Sequence, residues 1–195
     1  MRTLVAVLLV PGLVLVPQRI GAQWGLSAEV GVARFSGSSR DSSGATVGPY
    51  RPTTFELRVD RQLGAARVAI TVLYGKTGVA GERGGVALVQ YDIASLVEIA
   101  PQASFRLARF GAGVEARVEA GPAFDLWDFD GEQRNRVGGR AAAVVEWPLA
   151  RALMGSLRVS GALSASVFDA ADTPSGVERR TTRRLGVALG LRYRL

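Results

Sequence analysis

The side chains that could do chemistry are carboxylates and guanidiniums set two residues apart. Glu56, Arg58 and Asp60 form one such run, and Glu115, Arg117 and Glu119 form another. Glu29, Arg67, Glu98, Arg106, Arg140, Glu146, Arg158 and Arg192 stand singly in comparable surroundings. Spacing of two puts the members of a run on one face of an extended chain. The mixture of signs suits ion pairing in a confined space rather than proton transfer. Histidine and cysteine are both absent. Their absence excludes imidazole bases, thiol nucleophiles, disulfides and thiolate metal sites. With no base to activate a serine or an aspartate, we expect no enzyme and no cofactor.

Two further clusters stand outside this pattern. The stretch DLWDFDGEQ brings Asp125, Asp128, Asp130 and Glu132 together as a weak candidate for a metal ion. It lacks the full calcium-loop pattern, and an Asp-Gly turn is the favoured reading. The run VERRTTRR offers Arg179, Arg180, Arg183 and Arg184, whose forks match the phosphates of lipopolysaccharide. Basic residues number 24 against 17 acidic, for a net charge of +7, and Lys76 is the only lysine. Gly75, Lys76 and Thr77 spell the end of a phosphate-binding loop, but its first glycine would fall on Ile70.

These side chains must be positioned by strands. Residues 1–22 read as a signal peptide: Arg2, an apolar run from Thr3 to Val16 broken by Pro11, and small residues before a cut expected after Ala22. The run is too short to cross a bilayer as a helix. Residues 23–195 then form one domain that alternates at period two. Eight segments carry the alternation: Trp24 to Phe35, Phe55 to Arg61, Arg67 to Tyr74, Ala87 to Leu107, Val114 to Trp127, Val137 to Leu149, Leu153 to Phe168 and Arg184 to Leu195. Leu73 falls on the polar face, and Pro101 calls for a bulge or for pairing that has not yet begun. Tight turns near Gly64, Gly111 and Ala150 follow the even segments. Long Gly/Ser/Asp-rich stretches such as GKTGVAGERGG and DFDGEQRNR follow the odd ones.

Aromatic residues gather at segment ends. Trp24, Phe110, Trp147 and Tyr193 lie at the trimmed end, and Phe35, Phe55, Tyr74, Tyr91, Phe124, Trp127 and Phe168 at the ragged one. The apolar face carries charge only at its ends, at Arg34, Arg61, Arg109 and Arg183, where long side chains can reach an interface. Girdles flanking an apolar band favour a membrane wall over a soluble barrel. The whole of residues 23–195 therefore resembles the eight-stranded bacterial outer-membrane barrels of the OmpA and OmpX type. That resemblance implies an all-β, up-and-down antiparallel transmembrane barrel with short periplasmic turns and longer extracellular loops. It also implies insertion by the barrel-insertion machinery, contact with outer-membrane lipid and lipopolysaccharide, and no nucleic-acid partner. Family members usually end in an aromatic residue, whereas Tyr193 here precedes the final Leu195 by two positions.

The near balance of acids and bases on the polar face suits a plugged lumen. The function expected is a non-enzymatic outer-membrane barrel whose external loops make its contacts. The alternatives are a narrow channel and a soluble secreted barrel that binds an apolar ligand. Adjacent strands should pair Asp60 with Arg67, Arg106 with Glu115, Gln102 with Glu119 and, across the closing seam, Glu29 with Arg192.

Overall fold

Alternation of branched apolar residues with small or charged ones forces each segment to offer two unlike faces, and only a closed sheet satisfies both without leaving an edge. The computed structural model describes residues 23–36, 39–41, 46–49, 52–83, 86–168 and 177–195. The expected signal peptide and the side chains of Tyr91 and Ile93 lie outside the described residues. In chain order the strands are β1 (Trp24–Ser36), β2 (Ser39–Asp41), β3 (Thr46–Pro49), β4 (Thr53–Leu63), β5 (Ala66–Arg83), β6 (Val86–Phe110), β7 (Val114–Phe129), β8 (Glu132–Pro148), β9 (Leu153–Ser164), β10 (Val177–Arg179) and β11 (Thr182–Arg194).

Eight of these, β1, β4 to β9 and β11, pair antiparallel with their chain neighbours, and β1 closes the barrel on β11 from Gly25↔Arg194 to Ser36↔Arg183. The short β2, β3 and β10 extend the sheet at the loop end, where β3 adds to β5. Leu26, Val30, Leu57, Ile70, Val118, Val159 and Leu189 point outward and are exposed, while their sequence neighbours point into the barrel. The closed antiparallel barrel expected from the alternation is thus the observed architecture.

Turns at the trimmed end are short, with Gly64 at φ 65° and Gly111 at φ 42°. The ragged end departs from expectation. Gly75 to Arg83 of the GKTGVAGERGG stretch is strand rather than free loop, because β5 runs on to Arg83 and pairs with β6 as far as Val86. DFDGEQRNR is a hairpin, with β7 and β8 joined by Asp130 (φ 51°) and Gly131 (φ 89°). An Asp-Gly pair supplies the two positive φ angles of a tight hairpin turn. Composition marked the turn there without revealing how short it is.

Pro101 faces outward and keeps its place opposite Ile70 of β5. On its other side the β6–β7 ladder lapses between Ile99↔Phe124 and Ala103↔Ala120, as a residue lacking an N–H requires. Gly121 fills this gap, and any Cβ there would collide with the Pro101 carbonyl. The register shifts lie elsewhere, at Thr77/Val79 and Arg106/Ala108.

Candidate functional site

Below the mouth, most of the inward positions are polar. Among the described residues, eight buried carboxylates (Glu29, Glu56, Asp60, Glu98, Glu115, Glu119, Asp125, Glu146) meet eight buried arginines (Arg58, Arg67, Arg117, Arg134, Arg140, Arg158, Arg184, Arg192). Near the trimmed end Arg192 donates to both oxygens of Asp60, at 2.9 and 2.7 Å. Arg67 lies 3.6 Å from Asp60 and forks onto Glu146 at 2.7 and 3.0 Å. Arg117 donates to Ser104 Oγ at 2.9 Å and to the Ala65 carbonyl at 3.2 Å, and stands 3.3 Å from Glu115.

At mid-barrel Arg158 forks onto Glu29 at 2.8 and 3.2 Å and, together with Arg58, donates to Glu119. One level higher Arg140 bridges Glu98, at 2.9 Å, and Glu56, while Arg184 donates to the other oxygen of Glu98. Small residues make room for these long side chains. A Cβ at Gly25 would strike the Arg192 guanidinium, and one at Gly190 would strike Glu29.

Above the charges the lumen becomes apolar. Trp127 stacks on Phe129 (centroids 5.5 Å apart, planes at 23°) and meets Phe35 edge-on at 5.5 Å. Phe168 lies 6.1 Å from Phe129, and Leu73, Leu96 and the wholly buried Val167 complete the cluster. Residues 165–168 therefore fold across the mouth. Arg136 holds them by donating to the Ser166 carbonyl, and Arg134 by donating to that of Val167 at 3.4 Å, with its guanidinium 5.1 Å over the Phe129 ring.

This arrangement revises several expectations. Asp60 meets Arg67, and Arg106 lies 3.3 Å from Glu115, but Arg106 sits at the rim with its side chain 36% exposed. Gln102 accepts from Thr71 at 3.0 Å rather than meeting Glu119. Glu29 does not take Arg192, which crosses bare Gly25 to reach Asp60 and leaves Glu29 to Arg158. Arg184, grouped with the lipopolysaccharide contacts, points inward to Glu98, whereas Arg179, Arg180 and Arg183 are exposed.

The acidic stretch does not converge. Asp125 faces the lumen opposite Glu98, Asp128 accepts the Gly131 N–H at 3.0 Å, Asp130 forms the turn, and Glu132 pairs with Arg134 at 2.8 Å. No group that could hold a metal ion occurs among the described residues.

The ragged aromatic girdle is also thinner than expected. Phe55, Tyr74 and Phe124 face outward, but Phe35, Trp127 and Phe168 belong to the cap. Sequence reasoning missed that cap, although the parity of β7 puts Trp127 on the side of Asp125. At the trimmed end Trp24, Phe110 and Tyr193 are exposed outside, and the Trp147 ring covers Gly155.

Several solved structures are similar to this chain to differing degrees. The crystal structure of Neisserial surface protein A (NspA) superposes with a TM-score of 0.56 at 13% identity, covering 87% of this chain and 96% of that one. The N-terminal β-barrel domain of Pseudomonas aeruginosa OprF gives 0.45 at 13% identity, covering 87% of this chain and 98% of that one. Ail, the attachment invasion locus protein of Yersinia pestis, in complex with the heparin analogue sucrose octasulfate, gives 0.46 at 12%, covering 89% and 99%. The fold assignment rests on the first of these: the chain has the fold of the eight-stranded outer-membrane barrels. No family model matches the sequence, and no curated protein is significantly similar to it.

Proposed function

We propose that this chain is a non-enzymatic integral barrel of the bacterial outer membrane, exported by a signal peptide removed near Ala22 and placed by the barrel-insertion machinery. Its lumen is closed, and its external loops, with Arg179, Arg180 and Arg183, make whatever contacts it has, lipopolysaccharide among them. The observation that carries this reading is the inverted polarity of the wall: apolar side chains stand exposed outside while buried arginines and carboxylates pair within. Water would penalise so broad an exposed apolar surface, and hydrocarbon would not. A soluble barrel built for an apolar ligand would have the opposite facing.

Fractionation tests the location. The protein should resist release by osmotic shock, require detergent for extraction and run with heat-modifiable mobility on a gel. Cysteines placed singly at Arg117 and Val118 test the facing, with lipid-side reagent expected to label only the second; equal water access at both would overturn it. In planar bilayers the closed lumen predicts no steady conductance. A reproducible ion-selective pore would make the protein a channel instead.

A further inference from the structure

Directly paired residues form rows across the outer wall. One row leads from Ala120 through Ala141, Gly161 and Leu185 to Arg34, and the next row toward the loops leads from Pro122 through Gly139 and Leu163 to Arg183. On the trimmed-end side the neighbouring row is bulkier, with Val118, Val159, Val187 and Val32. The small residues leave a trough of about 760 Å³ floored by Ala120, Gly139, Ala141 and Gly161 and flanked by Leu163, Leu185 and Arg183.

Nothing inside the barrel requires these glycines. A Cβ at Gly139 would meet no atom nearer than 3.9 Å, and one at Gly161 none nearer than 3.6 Å. Gly121 and Gly138, by contrast, are each pressed against a neighbouring carbonyl. The trough is thus spare room on the outside of the wall, not a by-product of packing within it.

Its loop-side end is charged. Arg34 and Arg183 both face outward on adjacent strands, where Arg34↔Leu185 and Ser36↔Arg183 make them diagonal neighbours, roughly 7–8 Å apart. Neither pairs with a carboxylate among the described residues. Arg184, between them in phase, is turned inward and neutralised by Glu98. The wall therefore joins an apolar trough to two guanidinium forks that no carboxylate among the described residues neutralises, and whose geometry matches phosphate oxygens.

We propose that this trough and the Arg34–Arg183 pair hold one molecule of phosphorylated lipid A, with an acyl chain lying over Gly139 and Gly161 and a phosphate between the two guanidiniums. The site rests on the outer-membrane reading, which turns the loop end toward the outer leaflet. A second copy of the barrel suits it poorly, since the partner's own arginine pair would enter the contact with no carboxylate to meet it.

The test uses the full-length mature protein in detergent with three probes: lipid A, lipid A stripped of its phosphates, and phosphatidylglycerol. Native mass spectrometry reads the bound lipid. The unaltered protein should retain one lipid A through detergent exchange and bind the other two about tenfold more weakly. Arg34→Gln with Arg183→Gln should lose about tenfold in lipid A retention, and Gly139→Leu with Gly161→Leu, whose branched side chains would occupy the trough, should lose at least as much. Heat-modifiable mobility identifies variants that still fold, and the single substitution Gly161→Leu serves if the pair does not. Undiminished retention in either variant, equal retention of phosphatidylglycerol, or a dimer abolished by Gly161→Leu would overturn the proposal. Release of the unaltered chain without detergent would instead overturn the outer-membrane reading beneath it.

Discussion

The lumen is packed in two ways, by opposite physics. From the trimmed end to mid-barrel, the packing is electrostatic and directional: one guanidinium, Arg158, reaches both Glu29 and Glu119, and another, Arg140, spans Glu56 and Glu98. At the mouth, the packing is contact between Trp127, Phe129, Phe35 and Val167, which cares about volume more than direction. A charge without its partner in a confined interior costs far more than an apolar side chain that has lost a neighbour able to move in. The charged part should therefore fail at single substitutions and recover when a partner is also removed. The cap should tolerate any substitution that preserves its bulk.

The largest effect expected is for Arg158→Ala, which leaves Glu29 without its fork. It should destabilise the barrel by about 3–5 kcal/mol in urea unfolding from lipid vesicles, and adding Glu29→Ala should restore part of that. A loss under about 1 kcal/mol would erase the contrast between the two regions. Next comes Trp127→Ala, expected to cost about 3 kcal/mol because the rest of the cap can settle only partly into the space left. Trp127→Phe should cost less than about 1.5 kcal/mol, measured in the same way, and a larger loss would mean that the indole is held by direction as the arginines are.

The smallest effect belongs to the rim. Arg106 is 36% exposed on its side chain, and Glu115 keeps Arg117 when Arg106 is removed. Arg106→Ala should therefore cost less than about 1 kcal/mol, and its coupling to Glu115→Ala should be as small. A coupling as strong as that at Arg158 would extend the directional region to the barrel's end.

Facing was legible in the sequence because period two leaves a residue little choice: Glu56, Arg58 and Asp60 alternate with Phe55, Leu57 and Val59, and one face must be inside. Pairing was less legible. Sequence reasoning looks to adjacent strands, where diagonal Asp60 and Arg67 do meet, yet Arg58 on β4 reaches Glu119 on β7 and Arg67 on β5 reaches Glu146 on β8. In so narrow a lumen a guanidinium finds its partner across the diameter, and no register along the chain encodes that reach. The cap was hidden for another reason. An aromatic residue near a strand end belongs to the girdle or to the mouth according to its parity, and Trp127 and Phe35 have the inward parity that Phe124 and Phe55 lack. Proximity to the end outweighed parity in reading them. Leu73, which stood out as a defect in the alternation, is explained by the same cap.

The seam where β1 meets β11 governs the order of assembly. Hairpins such as β4–β5 and β7–β8 join residues close in sequence and can form early, whereas Gly25 must find Arg194 from the opposite end of the domain. Until it does, Glu29 on β1 and Arg158 on β9 belong to separate edges of an open, wet sheet. Closing the seam brings them together along with Arg192 and Asp60, so water is exchanged for countercharges when the seam forms. A seam closed one residue out of step would turn Glu29 to the outer wall and abandon Arg158 inside. The charges that pair across the closed barrel are thus also the ones that a misregistered seam would leave unmatched.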